Sequence, residues 1–204
     1  NLSGSLVIPD RVIETPQKVF SGCGFNGTLT LPSGLKRIGD GAFYCVHFKG
    51  ELNIPDGVEV IGSEAFLNAD FNGTLVLPSE LLSLGSWAFS GCWRLSGVVE
   101  LPENIISVPA RVFSGCSALE KVVLHKGIEV IESRAFEGCS KLRYINVSNV
   151  KHIEDLSFVN CSALESIILG CVRTIGNYAF KNCTSLELVS LSEMIENIKN
   201  EAFV

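Results

Sequence analysis

This chain is short of basic side chains relative to acidic ones, has few histidines and lacks long apolar runs. It carries 16 basic residues against 22 acidic ones, a formal charge of -6. A protein that grips a phosphate backbone needs a basic face, so the balance argues against a nucleic-acid partner. No hydrophobic stretch nears the roughly 20 residues of a membrane helix, because glycines, prolines and charges break each one, and no membrane insertion is expected within this segment. The three histidines, His47, His125 and His152, fall in separate stretches with no Ser, Cys or carboxylate at a spacing that makes a nucleophile and base pair. No Cys-x-x-Cys or His cluster offers a metal set, and glycine runs such as Ser21-Gly22-Cys23-Gly24 lack the Lys of a phosphate loop. The expectation is a chain without catalytic, cofactor-binding or metal-binding residues, and not an enzyme.

What the sequence has in quantity is repetition. Phenylalanine recurs at Phe20, Phe43, Phe66, Phe89, Phe113, Phe136, Phe158, Phe180 and Phe203, in steps of 22 to 24 residues that take up nine of the 12 phenylalanines. Five residues earlier runs an aliphatic column that includes Ile38, Ile61, Val108 and Ile175, broken by Thr15 alone. Three residues later runs a second column, Cys23, Cys92, Cys116, Cys139, Cys161 and Cys183, where Val46 and Ala69 stand in. Stretches such as Leu29-Thr30-Leu31 and Val122-Val123-Leu124 alternate with period two, which predicts nine short strands with one buried face. Prolines close the first five. Three residues before the Phe, residues such as Asp40, Ser63, Ser133, Asp155 and Asn177 suit an N-cap, so Ala-Phe-x-x-Cys is expected to be a short capped helix. One unit cannot bury enough apolar surface to order itself, so the units must stack. Units one to four carry a Gly two residues before the strand (Gly4, Gly27, Gly50 and Gly73, with Gly97 entering the fifth), an extra residue that reads as a bulge, and a seam is expected near residues 92 to 102.

The pattern L-x-x-[VI]-x-L-P-x-x-[VL]-x-x-I-G-x-x-A-F-x-x-C, clearest at Leu29 to Val46, Leu52 to Ala69, Leu75 to Cys92 and Ile167 to Cys183, resembles the BspA-like, or treponemal-type, leucine-rich repeats. The resemblance covers essentially all 204 residues. It implies an α/β solenoid: a right-handed superhelix whose parallel concave sheet has about nine short strands, with helical turns or loops outside. It also implies a binding scaffold, secreted or on a bacterial surface, that meets a protein or glycan on a host matrix or cell. A structural spacer or self-associating stalk is the alternative, and an enzyme the remote one. Residues 1–204 are expected to form a single repeat domain of about nine units of 22–24 residues, a piece of a longer protein.

The eight cysteines are expected to be unpaired. Stacking would point the six ladder thiols the same way, buried and too far apart for a disulfide, while Cys45 and Cys171 lie off the ladder and are candidates for exposed thiols. Six Asn-x-Ser/Thr sequons, at Asn1, Asn26, Asn72, Asn146, Asn160 and Asn182, include two beside ladder cysteines, which suggests a host without N-glycosylation.

Strand alternation places two columns on the concave surface, Thr30, Asn53, Val76, Glu100, Val123, Asn146, Ile168 and Ser190 in one, Thr28, Glu51, Thr74, Val98, Lys121, Tyr144, Ser166 and Leu188 in the other. Val76, Val98, Val123, Tyr144, Ile168 and Leu188 form a mostly apolar diagonal weighted to the C-terminal half, and Lys121 and Arg143 stand beside it. These eight are the expected partner-binding residues, with Tyr144 the rigid anchor.

Overall fold

In the computed structural model, residues 2–204 are described; the sequon at Asn1 lies outside them. The repeat winds into a solenoid with two parallel ladders. The first runs in three sheets: Leu6–Val7 with Leu29–Thr30; Gly73–Thr74, Leu95–Glu100, Leu119–Val123 and Tyr144–Ile145 in order; and Ser166–Ile168 with Leu188–Ser190. Here the expected count of nine strands is corrected: Leu52 and Ile54 are buried and Asn53 exposed, as alternation requires, but the segment forms no bridged strand. The second line of strands, read from sequence only as a core column, runs in two-residue strands from Glu14–Thr15 to Asn197–Ile198 and is split at the seam into two sheets, four strands ending at Ser83–Leu84 and five beginning at Ser107–Val108. In it Ile38 pairs with Ile61, Ile61 with Leu84, Val108 with Ile131, Ile131 with Ile153 and Ile153 with Ile175.

The expected helix does not form; among the described residues the chain has none. The segment around each Phe is instead a turn in which amides alternate between two destinations. Val19, Ser21 and Cys23 donate three residues back to Pro16, Lys18 and Phe20, whereas Lys18, Phe20 and Gly22 donate across to the carbonyls of Asp40, Ala42 and Tyr44 in the next unit. The same alternation continues at Glu64, Phe66 and Asn68, which donate to Ser86, Ala88 and Ser90. Sending every second amide sideways requires left-handed backbone two residues before and two after the Phe, as at Glu64 (φ 58) and Asn68 (φ 56), or Arg134 (φ 58) and Gly138 (φ 72). An α-helix has no such residues. The would-be caps do accept an amide, but one from the following unit: Asp40 Oδ1 accepts from the Ser63 amide at 2.9 Å and Asp155 Oδ1 from Asn177 at 2.8 Å. The Asn177 side-chain amide donates to the other oxygen, Oδ2, at 3.0 Å, and that bond first, then the backbone bond and Lys199 at 3.6 Å, hold the Asp155 carboxyl below its ordinary range against the pull of partial burial.

Between the ladders and the turns lies one continuous core. The nine ladder phenylalanines stack ring on ring, with centroids 5.5 Å apart for Phe20 and Phe43, 6.0 Å for Phe113 and Phe136, and 5.2 Å for Phe136 and Phe158. The remaining three phenylalanines form a second, shorter stack, Phe25 on Phe48 at 5.7 Å and Phe48 on Phe71 at 5.9 Å. They explain the two dialects. Where the early units fill the space below the first ladder with a Phe, the later ones fill it with a leucine one position further on, Leu95, Leu119, Leu142 and Leu164, all buried. Four of the five glycines that mark the early dialect, Gly4, Gly50, Gly73 and Gly97, take left-handed backbone, φ 83 at Gly73 and φ 75 at Gly97, where a side chain would be strained, and Gly27 does not. At the change of dialect the pairing of Leu95–Glu100 with Leu119–Val123 shifts register between Leu119 and Lys121, the irregularity expected at the seam.

Candidate functional site

The first ladder positions the expected contact residues. Val99, Val122, Ile145 and Ile167 point into the core and are essentially sealed, so their neighbours in the strand must face out. Val76 is 67% exposed, Tyr144 46%, Ile168 54% and Leu188 58%. Val98, Lys121 and Arg143 are also exposed, and Val123 is half-buried. Register brings Val98, Lys121 and Tyr144 into one row, Val98 opposite Lys121 and Lys121 opposite Tyr144. Val123 lies opposite Glu100, Ser166 opposite Leu188 and Ile168 opposite Ser190. The apolar diagonal is therefore punctuated: Lys121 separates Val98 from Tyr144, and Ser166 separates Tyr144 from Leu188 in their column. Between the fourth and fifth units the expected column of Thr74 and Val98 is corrected, since Thr74 pairs with Ser96 instead. Arg143 belongs to a rim in which the Arg143 amide donates to Glu120 and the Glu165 amide to Arg143. Lys121 and Arg143 enter no ion pair among the described residues, which leaves two free cations flanking the tyrosine.

The histidines each serve a local contact. His125 Nε2 lies 2.9 Å from the Ile105 carbonyl, His152 Nδ1 is 2.9 Å from the Thr174 hydroxyl, and His47 Nδ1 faces Asp70 at 3.6 Å rather than the neighbouring thiol. Asn160 and Asn182, read from sequence as sequons, occupy left-handed turn positions (φ 62 and 59), and the Asn182 side-chain Nδ2 donates to Asn160 Oδ1 at 2.8 Å. Their asparagine is explained by the backbone.

All eight cysteines are free thiols. Each later ladder thiol donates to the Phe carbonyl one unit earlier, Cys116 to Phe89 at 3.1 Å, Cys139 to Phe113 at 3.1 Å and Cys161 to Phe136 at 3.1 Å. Burial pushes their ionisation upward: Cys92 to about 12, and Cys116, Cys139 and Cys161 well above the ordinary thiol range. Two of the six ladder thiols expected to be buried are not sealed. Cys23 and Cys183 are only half-buried, because they sit in the terminal units where the stack covers one side. At neutral pH a thiol reagent is expected to label Cys23, Cys45 and Cys171, to reach Cys183 slowly since its thiol is pushed up to about 12, and to leave Cys92, Cys116, Cys139 and Cys161 untouched until the chain unfolds. Peptide mapping by mass spectrometry decides it; early labelling of Cys116 or Cys139 contradicts the sealed ladder.

As a family, the BspA type leucine-rich repeat region matches residues 2–119 and 97–204, in six copies. No curated protein matches the chain. Among solved structures, a leucine-rich repeat protein from Bacteroides ovatus is 26% identical, with 94% of this chain and 67% of that one covered and a TM-score of 0.50. One from Eubacterium ventriosum is 20% identical over 98% of this chain and 64% of its own, at 0.55. The leucine-rich repeat protein of T. pallidum is 24% identical over 89% and 77%, also at 0.55. The latter two likenesses speak for the fold alone. The chain spans about two thirds of the length of the first two structures.

Proposed function

The chain belongs to the BspA-type leucine-rich repeat family, and from that premise we propose that it is a bacterial surface scaffold that adheres to another surface through the C-terminal half of its concave sheet. Leucine-rich repeats of this kind are frames for interaction, and their motif residues build the core, so function must be sought in what the frame displays. The observation that carries the reading is Tyr144, half exposed between a free Lys121 and a free Arg143, with Ile168 and Leu188 projecting from the next two units. An amphipathic ring with a polar tip, bordered by cations and exposed aliphatics, has the composition of a contact for a protein surface. A glycan chain is the second partner class, tested by the same variants.

Replacing Tyr144 by Ala together with Ile168 by Ser is expected to leave the fold intact, since both side chains lie outside the core, and to weaken partner binding at least tenfold, about 1.4 kcal/mol or more. The measurement is surface plasmon resonance against immobilised host matrix proteins that retain the parent chain. Equal affinity of variant and parent would move the contact to the turns or off this segment. Surface exposure of the parent is tested by proteolytic shaving of intact cells.

A further inference from the structure

The seam between the dialects opens a cleft lined by Lys49, Gly50, Asp70, Asn72 and Arg94, of about 230 Å³. Its origin is the core filler. Arg94 occupies the position that Phe25, Phe48 and Phe71 hold in the earlier units, but here Leu95 fills the core and the arginine is released to solvent. Trp93 follows it outward. At 54% exposure it is the more exposed of the two tryptophans, and the Arg94 guanidinium lies 5.4 Å from its ring centre. Trp93 stands at the repeat position of Asp70, one unit on, and Asp70 in turn faces His47 at 3.6 Å.

Charge makes the cleft unusual. From residue 40 to residue 110 the chain has nine acidic residues and two basic ones, and those two are Lys49 and Arg94. Both line this cleft, and neither enters an ion pair among the described residues. We propose that the cleft binds an acidic saccharide, a sugar ring bearing a carboxylate. The guanidinium offers a two-pronged donor to the carboxylate and Lys49 a point charge. The Asp70 carboxylate and the Asn72 amide can accept from and donate to ring hydroxyls. The exposed indole of Trp93, which does not itself line the cleft but lies 5.4 Å from the Arg94 guanidinium, would provide an apolar plate for the C–H face of a ring held by that guanidinium. The cleft is smaller than the roughly 300 to 1,000 Å³ of a site for a drug-sized ligand, which suits one sugar unit of a chain that continues into solvent. An acidic peptide would use the same cations but would have no use for the indole. This surface is distinct from the one around Tyr144 and stands or falls without it.

The test titrates the whole chain by calorimetry with trigalacturonate, its methyl ester and hexaglutamate. Trigalacturonate should bind saturably, and the ester and the peptide at least tenfold more weakly, the scale of one lost charge-assisted contact. Trp93→Ala and Arg94→Ala should each cost trigalacturonate at least tenfold while the far-ultraviolet dichroism stays that of the parent. The proposal is overturned by no saturable binding at millimolar sugar, by equal binding of the ester or the peptide, or by unchanged affinity in Trp93→Ala.

Discussion

Phe136→Ala is expected to lower the unfolding free energy by about 3 to 5 kcal/mol. The ring is fully buried and sandwiched between Phe113 at 6.0 Å and Phe158 at 5.2 Å, so its loss leaves a cavity shared by three units. The neighbours cannot close it. Their backbones are held at ladder spacing by the Phe113 and Phe136 amides, which donate to the Ala135 and Ser157 carbonyls. Because units in a row touch only their neighbours, the damage should be local: hydrogen exchange should quicken around residues 113 to 158 and the denaturation curve should broaden. A midpoint shift worth less than about 1 kcal/mol, the scale of surface substitutions, would contradict the stacked core.

Alkali should act on the same core through the thiols. An unfolded cysteine ionises near pH 8.5, whereas burial pushes Cys92 up to about 12 and raises Cys116, Cys139 and Cys161 well above their ordinary range. A folded pKa above the unfolded one gives stability that is fully present below the unfolded value and disappears as pH rises towards the folded one. Each thiol then removes about 1.4 kcal/mol per pH unit, so the four together remove about 5 kcal/mol per unit. That is comparable to the whole stability of a typical domain, and the chain should unfold within one to two units above pH 9. Urea titrations from pH 8 to 10.5 measure the slope. Replacing all four thiols with alanine should lower stability at pH 7 yet flatten the alkaline decline, and equal slopes in parent and variant would show that the thiols reach water.

The columns of Phe, Ile and Cys were legible because stacking identical units turns a period in sequence into a line in space. Burial of Phe43, Ile61 and Cys139 followed directly. The helix was misread for a physical reason. Ser63 or Asp155 before Ala-Phe or Ser-Phe suits a helix cap and a turn equally, and the deciding partner, the next unit's carbonyl, lies in no single-unit window. One contrary signal was available in the column two residues after the Phe: Gly22, Asn68, Gly91, Gly115, Gly138, Asn160 and Asn182, with Cys45 the exception. These are residues that tolerate left-handed backbone and are poor in helix interiors. The second ladder escaped notice because two residues are too few to show a period of two. Exposure of Tyr144 and Ile168 was readable from alternation, but the cleft was not: Lys49 and Arg94 lie two turns of the solenoid apart in sequence, and only the change of filler at Leu95 brings them to one place.

The switch from Phe71 to Leu95 also bears on how such a chain can lengthen. A unit duplicated inside either half would meet neighbours with the same filler, ring on ring or leucine on leucine, and would slot in with its hydrogen bonds and stacking intact. A unit copied across the boundary would set a Phe against a Leu one position out of step and force the register break to form again elsewhere. Descendants should therefore vary in the number of units within each half while keeping a single junction, and any recognition that depends on Trp93 and Arg94 should occur once per chain however long the chain becomes.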